Sequence, residues 1–280
     1  MPERPRPPHR SRPASAGAHP RAGMPRPSHD RSRGAKFRGG MRSADGPAIL
    51  YGWHTVKAAL ENPNRRIIKL VTTENAARRL SDDGVTLPIA PELVRPDIIA
   101  ARLPPDAVHQ GLYAEAEPLA APNIEDLPAH GIVLVFDQIT DPHNVGAILR
   151  SAAAFGVSAA VTTARHSPEA TGVLAKSASG ALERVPIVEV VNLARALDAM
   201  KTRGFMVVGL DSTGDTDLAT VTLCAPLALV LGAEGKGLRR LTGSLCDQVA
   251  RLDLPGEIKS LNVSNAAALA LYIATTKLRS

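Results

Sequence analysis

The chain has 280 residues, of which 44% are hydrophobic, so it is long enough to form one or two domains with real cores. Charged residues, Gly and Pro interrupt every apolar run before it reaches the roughly eighteen residues of a membrane span, and we expect a soluble protein without a membrane partner. Its two cysteines, Cys224 and Cys246, have no further Cys or His pair at zinc-finger spacing, which argues against a disulfide framework or structural zinc and fits a reducing cytoplasm.

The positive charge of the chain is concentrated at its N-terminus. Residues 1–45 hold 11 Lys and Arg against 3 acidic residues, a net charge of +8, whereas the remainder has a net charge of −2. Eight prolines and few large apolar residues predict that residues 1–46 form a disordered basic arm. Such an arm suits contacts with the phosphates of a polyanion, although a passive tail also fits this composition. A transit sequence is disfavoured, because prolines oppose the amphipathic helix that such signals form.

Residues 47–117 have the pattern of a small α/β domain. The predicted segments, in chain order, are strand 48–51, helix 55–61, strand 66–72, helix 74–80, and three further segments at 85–89, 91–99 and 110–115. Proline and alanine then dominate residues 118–122, which indicates a linker over 118–129.

Residues 130–280 predict a second, larger α/β domain. The run from Ile132 to Phe136 is apolar throughout, as is typical of a strand buried on both faces. Further strand-like runs lie at 157–162, 185–191, 205–210, 227–231 and 249–254, and helices are predicted at about 144–155 and 263–277. Because strands and helices alternate, we expect a mainly parallel sheet with helices on both faces.

Polar residues and glycines gather near the ends of these strands, which is the usual ligand side of an open α/β sheet. In the first such segment, Asp137 to Arg150, Asn144 is placed like an N-cap and Arg150 lies nearly two turns into the predicted helix. Taken alone, an N-cap Asn and a helical Arg are more often structural than catalytic.

The second segment, L-G-A-E-G-K-G-L from Leu231 to Leu238, follows an apolar strand. Three glycines in six positions would let a ligand approach the backbone closely, with Glu234 available for a hydroxyl or a cation. The segment matches neither a phosphate-binding P-loop nor the dinucleotide fingerprint, and a plain tight turn is the alternative interpretation.

In the third segment, Ser260, Asn262 and Ser264 alternate with Leu261 and Val263 just before an alanine-rich helix. Capping one helix needs a single polar side chain, so capping alone does not explain this surplus of polar residues.

Together the three segments resemble the motifs of the SpoU/TrmH RNA 2′-O-ribose methyltransferases. They read N-V-G-A-I-L-R-S-A-A-A-F-G from Asn144, L-G-A-E-G-K-G-L from Leu231, and S-L-N-V-S-N-A-A-A from Ser260. Upstream, Y-G-W-H-T-V-K-A-A-L-E-N-P from Tyr51 and H-Q-G from His109 resemble a small substrate-binding domain similar to ribosomal protein L30e. That domain is found in the branch of the family that acts on large-subunit ribosomal RNA.

This resemblance implies a C-terminal trefoil knot, a homodimer, S-adenosylmethionine as cofactor, no metal, and a guanosine of large-subunit ribosomal RNA as substrate. It also implies two sets of site residues. The residues implied to bind the cofactor are Gly232, Ala233, Leu254, Ile258, Leu261 and Ser264. The residues implied to arrange the target ribose are Asn144, Arg150, Glu234, Ser260 and Asn262.

The role of Arg150 is open at this point. The resemblance implies a general base, but a guanidinium stays protonated in proteins. A charged Arg150 could instead hold a phosphate and stabilise a developing alkoxide.

Two other functions also fit parts of the sequence. A transfer-RNA methyltransferase is disfavoured by the upstream domain, which the transfer-RNA branch usually lacks. A non-catalytic RNA-binding or assembly factor is disfavoured by the intact Asn144, Arg150, Glu234 and Asn262.

Overall fold

The computed structural model of the chain describes residues 46–165 and 172–279. Except for Gly46, the predicted basic arm lies outside these residues. Within them, no helix is long and apolar enough to cross a lipid bilayer.

The first part of the described chain forms a four-stranded sheet with three helices. The strands are β1 (Ala48–Tyr51), β2 (Ile67–Thr72), β3 (Glu92–Leu93) and β4 (Leu112–Ala116), and the helices are α1 (Trp53–Glu61), α2 (Glu74–Asp82) and α3 (Pro96–Ala100). The strand order is β1-β4-β2-β3, with β4 antiparallel to both of its neighbours and β3 parallel to β2. Helix α2 begins where predicted because the Thr73 side chain accepts a hydrogen bond from the Ala76 amide.

The second part forms a seven-stranded sheet covered by helices. Its strands are β5 (Ile132–Asp137), β6 (Ala159–Thr163), β7 (Ile187–Val190), β8 (Met206–Leu210), β9 (Thr216–Asp217), β10 (Leu227–Gly232) and β11 (Gln248–Arg251). Its helices are α4 (Pro142–Ala154), α5 (Gly172–Ala178), α6 (Leu193–Thr202), α7 (Arg240–Leu245) and α8 (Val263–Arg279). The order is β7-β6-β5-β10-β8-β11-β9, and every neighbouring pair is parallel. The predicted mainly parallel sheet is confirmed.

The side chains of β5 divide between two cores, one on each face of this sheet. Leu134 and Phe136 pack in the core that contains residues of α4, α5 and α8, whereas Val133 and Val135 pack in the core that contains residues of α6. Successive residues of a strand point to opposite faces, so a strand covered on both sides must be apolar throughout. The predicted helices on both faces are thereby confirmed.

Helix α4 starts two residues before the predicted position, and the prediction that Asn144 caps it is wrong. The cap is Asp141, whose carboxylate accepts a hydrogen bond of 3.0 Å from the His143 amide. Pro142 occupies the first helical position, which suits proline because an amide there would have no partner within the helix. Asn144 therefore lies inside the first turn, and its side chain is available for contacts elsewhere.

The two sheets are joined by close packing between α1 and residues 172–183. A side chain on Gly180 would place its Cβ only 2.7 Å from the Cβ of Ala58 in α1, so glycine allows the two backbones to approach. The predicted linker is anchored in its second half, where Arg203 donates hydrogen bonds to the carbonyls of Ile124 and Leu127. The division into domains at residues 118–129 stays a prediction.

Candidate active site

A cavity of about 380 Å³ opens at the carboxyl ends of strands β8, β10 and β11. Ligands of open α/β sheets bind at this edge because the loops that leave parallel strands converge there. The cavity is lined by residues of the segments 210–213, 231–237, 252–254 and 259–266. Six of the predicted site residues are among them: Gly232, Ala233, Glu234, Leu254, Ser260 and Leu261.

A chain of hydrogen bonds connects the three sequence motifs beside this cavity. The Asn144 amide donates to Glu234 Oε2 at 3.2 Å, and the Asn262 amide donates to Asn144 Oδ1 at 3.0 Å. Asn262 Oδ1 in turn accepts hydrogen bonds from the amide and the hydroxyl of Ser264, at 2.9 and 2.6 Å. The fold thus gathers side chains that are 90 and 118 residues apart in sequence.

The glycine-rich turn after β10 is packed closely on itself. A Cβ on Gly232 would collide with the carbonyl group of Gly237 and the amide of Leu238. Gly237 has a φ of +63° and lies against the carboxylate of Asp211, so a side chain there would also meet resistance. Glycine at these two positions therefore allows the turn to pack closely on itself, and the close approach of a ligand to its backbone stays a prediction.

Asp211 is a cavity residue that the sequence analysis missed. Its carboxylate accepts hydrogen bonds from the amides of Leu238 (2.8 Å) and Thr213 (2.9 Å), and from the Thr213 hydroxyl (2.7 Å). Burial alone would raise the pKa of Asp211, but these hydrogen bonds outweigh it and lower the pKa below its ordinary value of 3.8. The available signal was the run D-S-T-G directly after a predicted strand.

A second acidic residue, Asp137, lies at the end of β5, on the same edge of the sheet. It is 1% exposed and accepts hydrogen bonds from the amide of Arg239 (3.0 Å) and from its Nε (2.5 Å). This pair ties the end of β5 to the start of α7 and thereby anchors the chain that follows the glycine-rich turn.

Five predicted site residues are outside the cavity lining: Asn144 and Asn262, which belong to the hydrogen-bonded chain beside the cavity, and Ile258, Ser264 and Arg150. Ile258 is 77% exposed, in the irregular segment that leads to α8, and Ser264 lies in the first turn of α8. Arg150 is exposed on α4 and lines a different cavity, next to α1. The structure therefore brings Asn144, Glu234 and Asn262 together without Arg150.

The donor set around the first cavity fits S-adenosylmethionine. Leu210, Leu231 and Leu254 offer apolar contact, and the turn after β10 offers backbone groups for hydrogen bonds. The carboxylates of Asp211 and Glu234 complement the positive charge of a sulfonium compound. Within the described ranges, no group of three or more His, Cys, Asp or Glu side chains could hold a metal ion.

Comparison with known proteins decides the family. Residues 131–272, about half of the chain, match the SpoU rRNA Methylase family. The chain belongs to this family. Residues 49–122 also match the family described as RNA 2′-O ribose methyltransferase substrate binding.

Relatives align with nearly their full length. The 23S rRNA (guanosine-2′-O-)-methyltransferase RlmB of Yersinia pestis is 37% identical, covering 80% of this chain and 95% of its own. The protein of the same name from Pectobacterium atrosepticum is 35% identical, covering 80% and 96%. Among solved structures, the SpoU methyltransferase AviRb from Streptomyces viridochromogenes, in complex with the cofactor AdoMet, superposes with a TM-score of 0.69 at 25% identity, covering 83% of this chain and 90% of its own.

These matches confirm the resemblance inferred from the three motifs. They also confirm the expected enzyme class, an S-adenosylmethionine-dependent RNA 2′-O-methyltransferase, together with its cofactor.

Proposed function

We propose that this SpoU-family enzyme transfers the methyl group of S-adenosylmethionine to the ribose 2′-hydroxyl of a guanosine in 23S ribosomal RNA. The observation that carries the proposal is the hydrogen-bonded chain Glu234–Asn144–Asn262 at the border of a cavity suited to the cofactor. Support for the substrate comes from the relatives named for this reaction, which are 35 to 37% identical to the chain.

The chemistry leaves the protein two main tasks. The cofactor supplies a methyl group that its sulfonium already activates for transfer. The residues must therefore align the 2′-hydroxyl with that group and favour loss of the hydroxyl proton.

We assign cofactor binding to the walls of the first cavity. The backbone at Gly232 and Ala233 forms one wall, and Leu254 and Leu261 border the other. Ile258 and Ser264 belong to the same segment between β11 and α8, and we assign them to this function through the position of that segment.

We assign positioning of the target ribose to the polar residues at the border of the cavity. Hydrogen bonds fix the side chains of Asn144, Asn262 and Glu234 relative to one another. These side chains therefore lose little conformational entropy when the substrate binds. The Ser260 hydroxyl lines the same cavity and can bond a ribose oxygen. The Glu234 carboxylate accepts one hydrogen bond from Asn144 and has further acceptor capacity, so it can also receive one from the 2′-hydroxyl.

Arg150 receives an electrostatic role in this proposal. Its side chain lines the cavity beside α1, whereas the amide–carboxylate chain borders the other cavity. A guanidinium keeps its proton at neutral pH, so Arg150 serves to bind an RNA phosphate rather than to accept the hydroxyl proton.

The larger assembly is also part of the proposal. We infer a homodimer in the cytoplasm. The exposed Leu269 (46%) and Tyr272 (60%) on α8, the helix that packs against α4, offer an apolar surface for the partner.

The irregular segment between β11 and α8 is the part of the chain in which we place the trefoil knot. The four-stranded sheet with its helices is the part that we compare with ribosomal protein L30e.

Transfer of a labelled methyl group to unmodified 23S ribosomal RNA tests the proposed reaction. The purified full chain, incubated with this RNA and methyl-labelled S-adenosylmethionine, should modify the ribose of a guanosine, located by mapping 2′-O-methylation. Transfer to a base or to transfer RNA instead would contradict the proposed substrate. Cofactor binding without any transfer to RNA would contradict the proposed activity.

A further inference from the structure

A second cavity, of about 510 Å³, lies between α1 and the second half of α4. One wall consists of His54, Lys57, Ala58 and Glu61 of α1. The opposite wall consists of Arg150, Ala153 and Ala154 of α4 and the segment 178–184, which contains Arg184. The cavity therefore lies between a helix of the four-stranded sheet region and a helix of the methyltransferase fold. It contains Arg150, to which we assign phosphate binding in the proposed function.

Two guanidinium groups of this cavity lack an acidic partner among the described residues. Arg150 and Arg184 are both exposed, and neither forms an ion pair with a residue of the ranges 46–165 and 172–279. The acidic neighbour Glu183 is occupied, because its carboxylate is bound to Arg65 at 2.6 Å.

The remaining charges of the cavity largely compensate one another. Lys57 contacts Asp83 at 2.6 Å and Glu61 at 3.7 Å. Among the residues that the structure describes, the cavity charges without an acidic partner are therefore those of Arg150 on α4 and Arg184 in the segment that follows α5.

The backbone also shapes this cavity. Ser179 and Gly180 have φ values of +51° and +88°, so the chain turns sharply at the cavity wall. A Cβ on Gly180 would lie 2.7 Å from Ala58 Cβ and 3.0 Å from the carbonyl oxygen of His54, which shows how closely the two walls approach there. The two walls are thus in contact beside the cavity.

We propose that this cavity, which we name the arginine cleft, binds a backbone phosphodiester of the RNA substrate through Arg150 and Arg184. Guanidinium groups carry planar sets of donors that match phosphate oxygens, and two of them without acidic partners favour an anionic ligand. The proposal deepens the proposed function, on which it rests, and it makes Arg184 a residue that positions the substrate.

The distance between the arginine cleft and the candidate active site suits binding of an RNA phosphate near the target ribose. Arg150 and Asn144 lie six residues apart on α4, which is about 9 Å along the axis of a helix. A phosphate in the arginine cleft would belong to RNA next to the target nucleotide. Contacts with phosphate fix the register of a nucleic acid without reading its sequence.

Binding of 23S ribosomal RNA to Arg184→Ala tests this proposal. Affinity is measured without cofactor over a series of salt concentrations, using the full chain and an unmodified transcript. Removing one phosphate-binding side chain should weaken binding about tenfold at low salt. It should also reduce the slope of log affinity against log salt by roughly 0.7 to 0.9. Arg184→Lys should keep the slope, because it keeps the charge.

Arg195→Ala is the matched control. Arg195 is an exposed arginine of α6, which packs on the opposite face of the seven-stranded sheet from α4. This variant removes the same charge and should bind RNA like the wild type. Thermal unfolding of both variants should match the wild type, since neither side chain makes a hydrogen bond or ion pair with the described residues.

Steady-state kinetics supply an independent measurement. Arg184→Ala should raise KM for RNA while leaving the affinity for S-adenosylmethionine unchanged. Wild-type RNA affinity and salt slope in Arg184→Ala would overturn the proposal, as would an equal loss in Arg195→Ala. If the wild-type enzyme bound this RNA but methylated none of it, the proposed function would fail while the binding comparison still decided the role of the cleft.

Discussion

Arg65 and Glu183 form an ion pair of 2.6 Å although 118 residues separate them, and each side chain is only 4% exposed. The second oxygen of the Glu183 carboxylate accepts a hydrogen bond of 2.7 Å from Asn62, and the guanidinium also donates to the carbonyl of Glu117 at 2.7 Å. Both charges are therefore compensated, as burial of an ion pair requires. This pair fastens the loop after α1 to the short helical turn after α5.

Glu183→Ala should destabilise the protein strongly, because it leaves the Arg65 charge buried without a partner. We expect a loss of about 3 to 5 kcal/mol in the free energy of unfolding, measured with urea. The matched control is Glu117→Ala, which breaks the exposed pair of Arg66 and Glu117 (2.9 Å) and should cost about 1 kcal/mol or less. Equal losses in the two variants would show that the buried pair does not hold the two regions together.

Asn262 combines two functions that substitution can separate. Its Oδ1 binds the first turn of α8, and its amide binds Asn144. Asn262→Asp keeps the oxygen acceptors and removes the amide donor, so stability should change little while turnover falls about 10²-fold, as expected for a misplaced site. Asn262→Ala should lose turnover similarly and, in addition, about 1 kcal/mol of stability. Wild-type turnover of Asn262→Asp on 23S ribosomal RNA would contradict the role assigned to the amide.

Gly232→Ala should weaken cofactor binding, because the added Cβ collides with backbone atoms of Gly237 and Leu238 and must displace the turn. Isothermal titration with S-adenosylmethionine measures the effect. Gly243→Ala is the control, since nothing lies within 4 Å of a Cβ at this position inside α7. That variant should bind the cofactor normally and gain up to about 1 kcal/mol from the better helix propensity of alanine. Unchanged affinity in a folded Gly232→Ala protein would remove the glycine turn from the cofactor site.

Asp211→Asn should destabilise the protein in a pH-dependent manner. The pKa of Asp211 is lowered in the folded state, so its carboxylate contributes stability above the ordinary value of 3.8 and loses that contribution as the pH falls through the lowered value. The wild type should therefore be more stable than Asp211→Asn at neutral pH, with the difference shrinking in acid. Urea unfolding across this pH range measures the difference. A stability difference that stayed constant with pH would contradict a lowered pKa of Asp211. A difference no larger than that caused by Asp253→Asn, at an exposed position, would contradict it as well.

Deletion of residues 1–45 removes a net charge of +8 and no motif residue. The truncated protein should methylate the same nucleotide, because the three motifs and the residues that match a substrate-binding family all lie in the remainder of the chain. Its RNA affinity should fall, and its salt dependence should become shallower by roughly 0.7 to 0.9 log units for each phosphate that the arm had bound. Unchanged affinity and slope would make the arm a passive tail. A change in the methylated position would assign selection to the arm.

Local sequence patterns were sufficient for most of the fold. An unbroken apolar run such as 132–136 can be covered only on both faces, which requires a parallel sheet between helix layers. The predicted start of α4 was wrong because more than one residue near it could cap the helix. Asp141 with Pro142, rather than Asn144, starts α4, because a proline at the first helical position lacks an amide to be satisfied.

The motifs also predicted which residues form the candidate site, but they did not predict how these residues lie relative to one another. Motif spacing along the chain carries no distance between Asn144, Glu234 and Asn262, and only the folding of β5, β10 and α8 brings their side chains within hydrogen-bonding range. Asp211 went unnoticed because its importance lies in amides that the turn after β10 presents to it.

The sequence by itself determined the family and the parallel sheet, since these depend on motif and periodicity, and it predicted the residues of the candidate site. Only the tertiary structure decided that Arg150 faces the arginine cleft with Arg184, and that Arg65 and Glu183 share a buried pair. Such partnerships join residues of separate elements, and they depend on how helices and sheets pack, which no local pattern encodes.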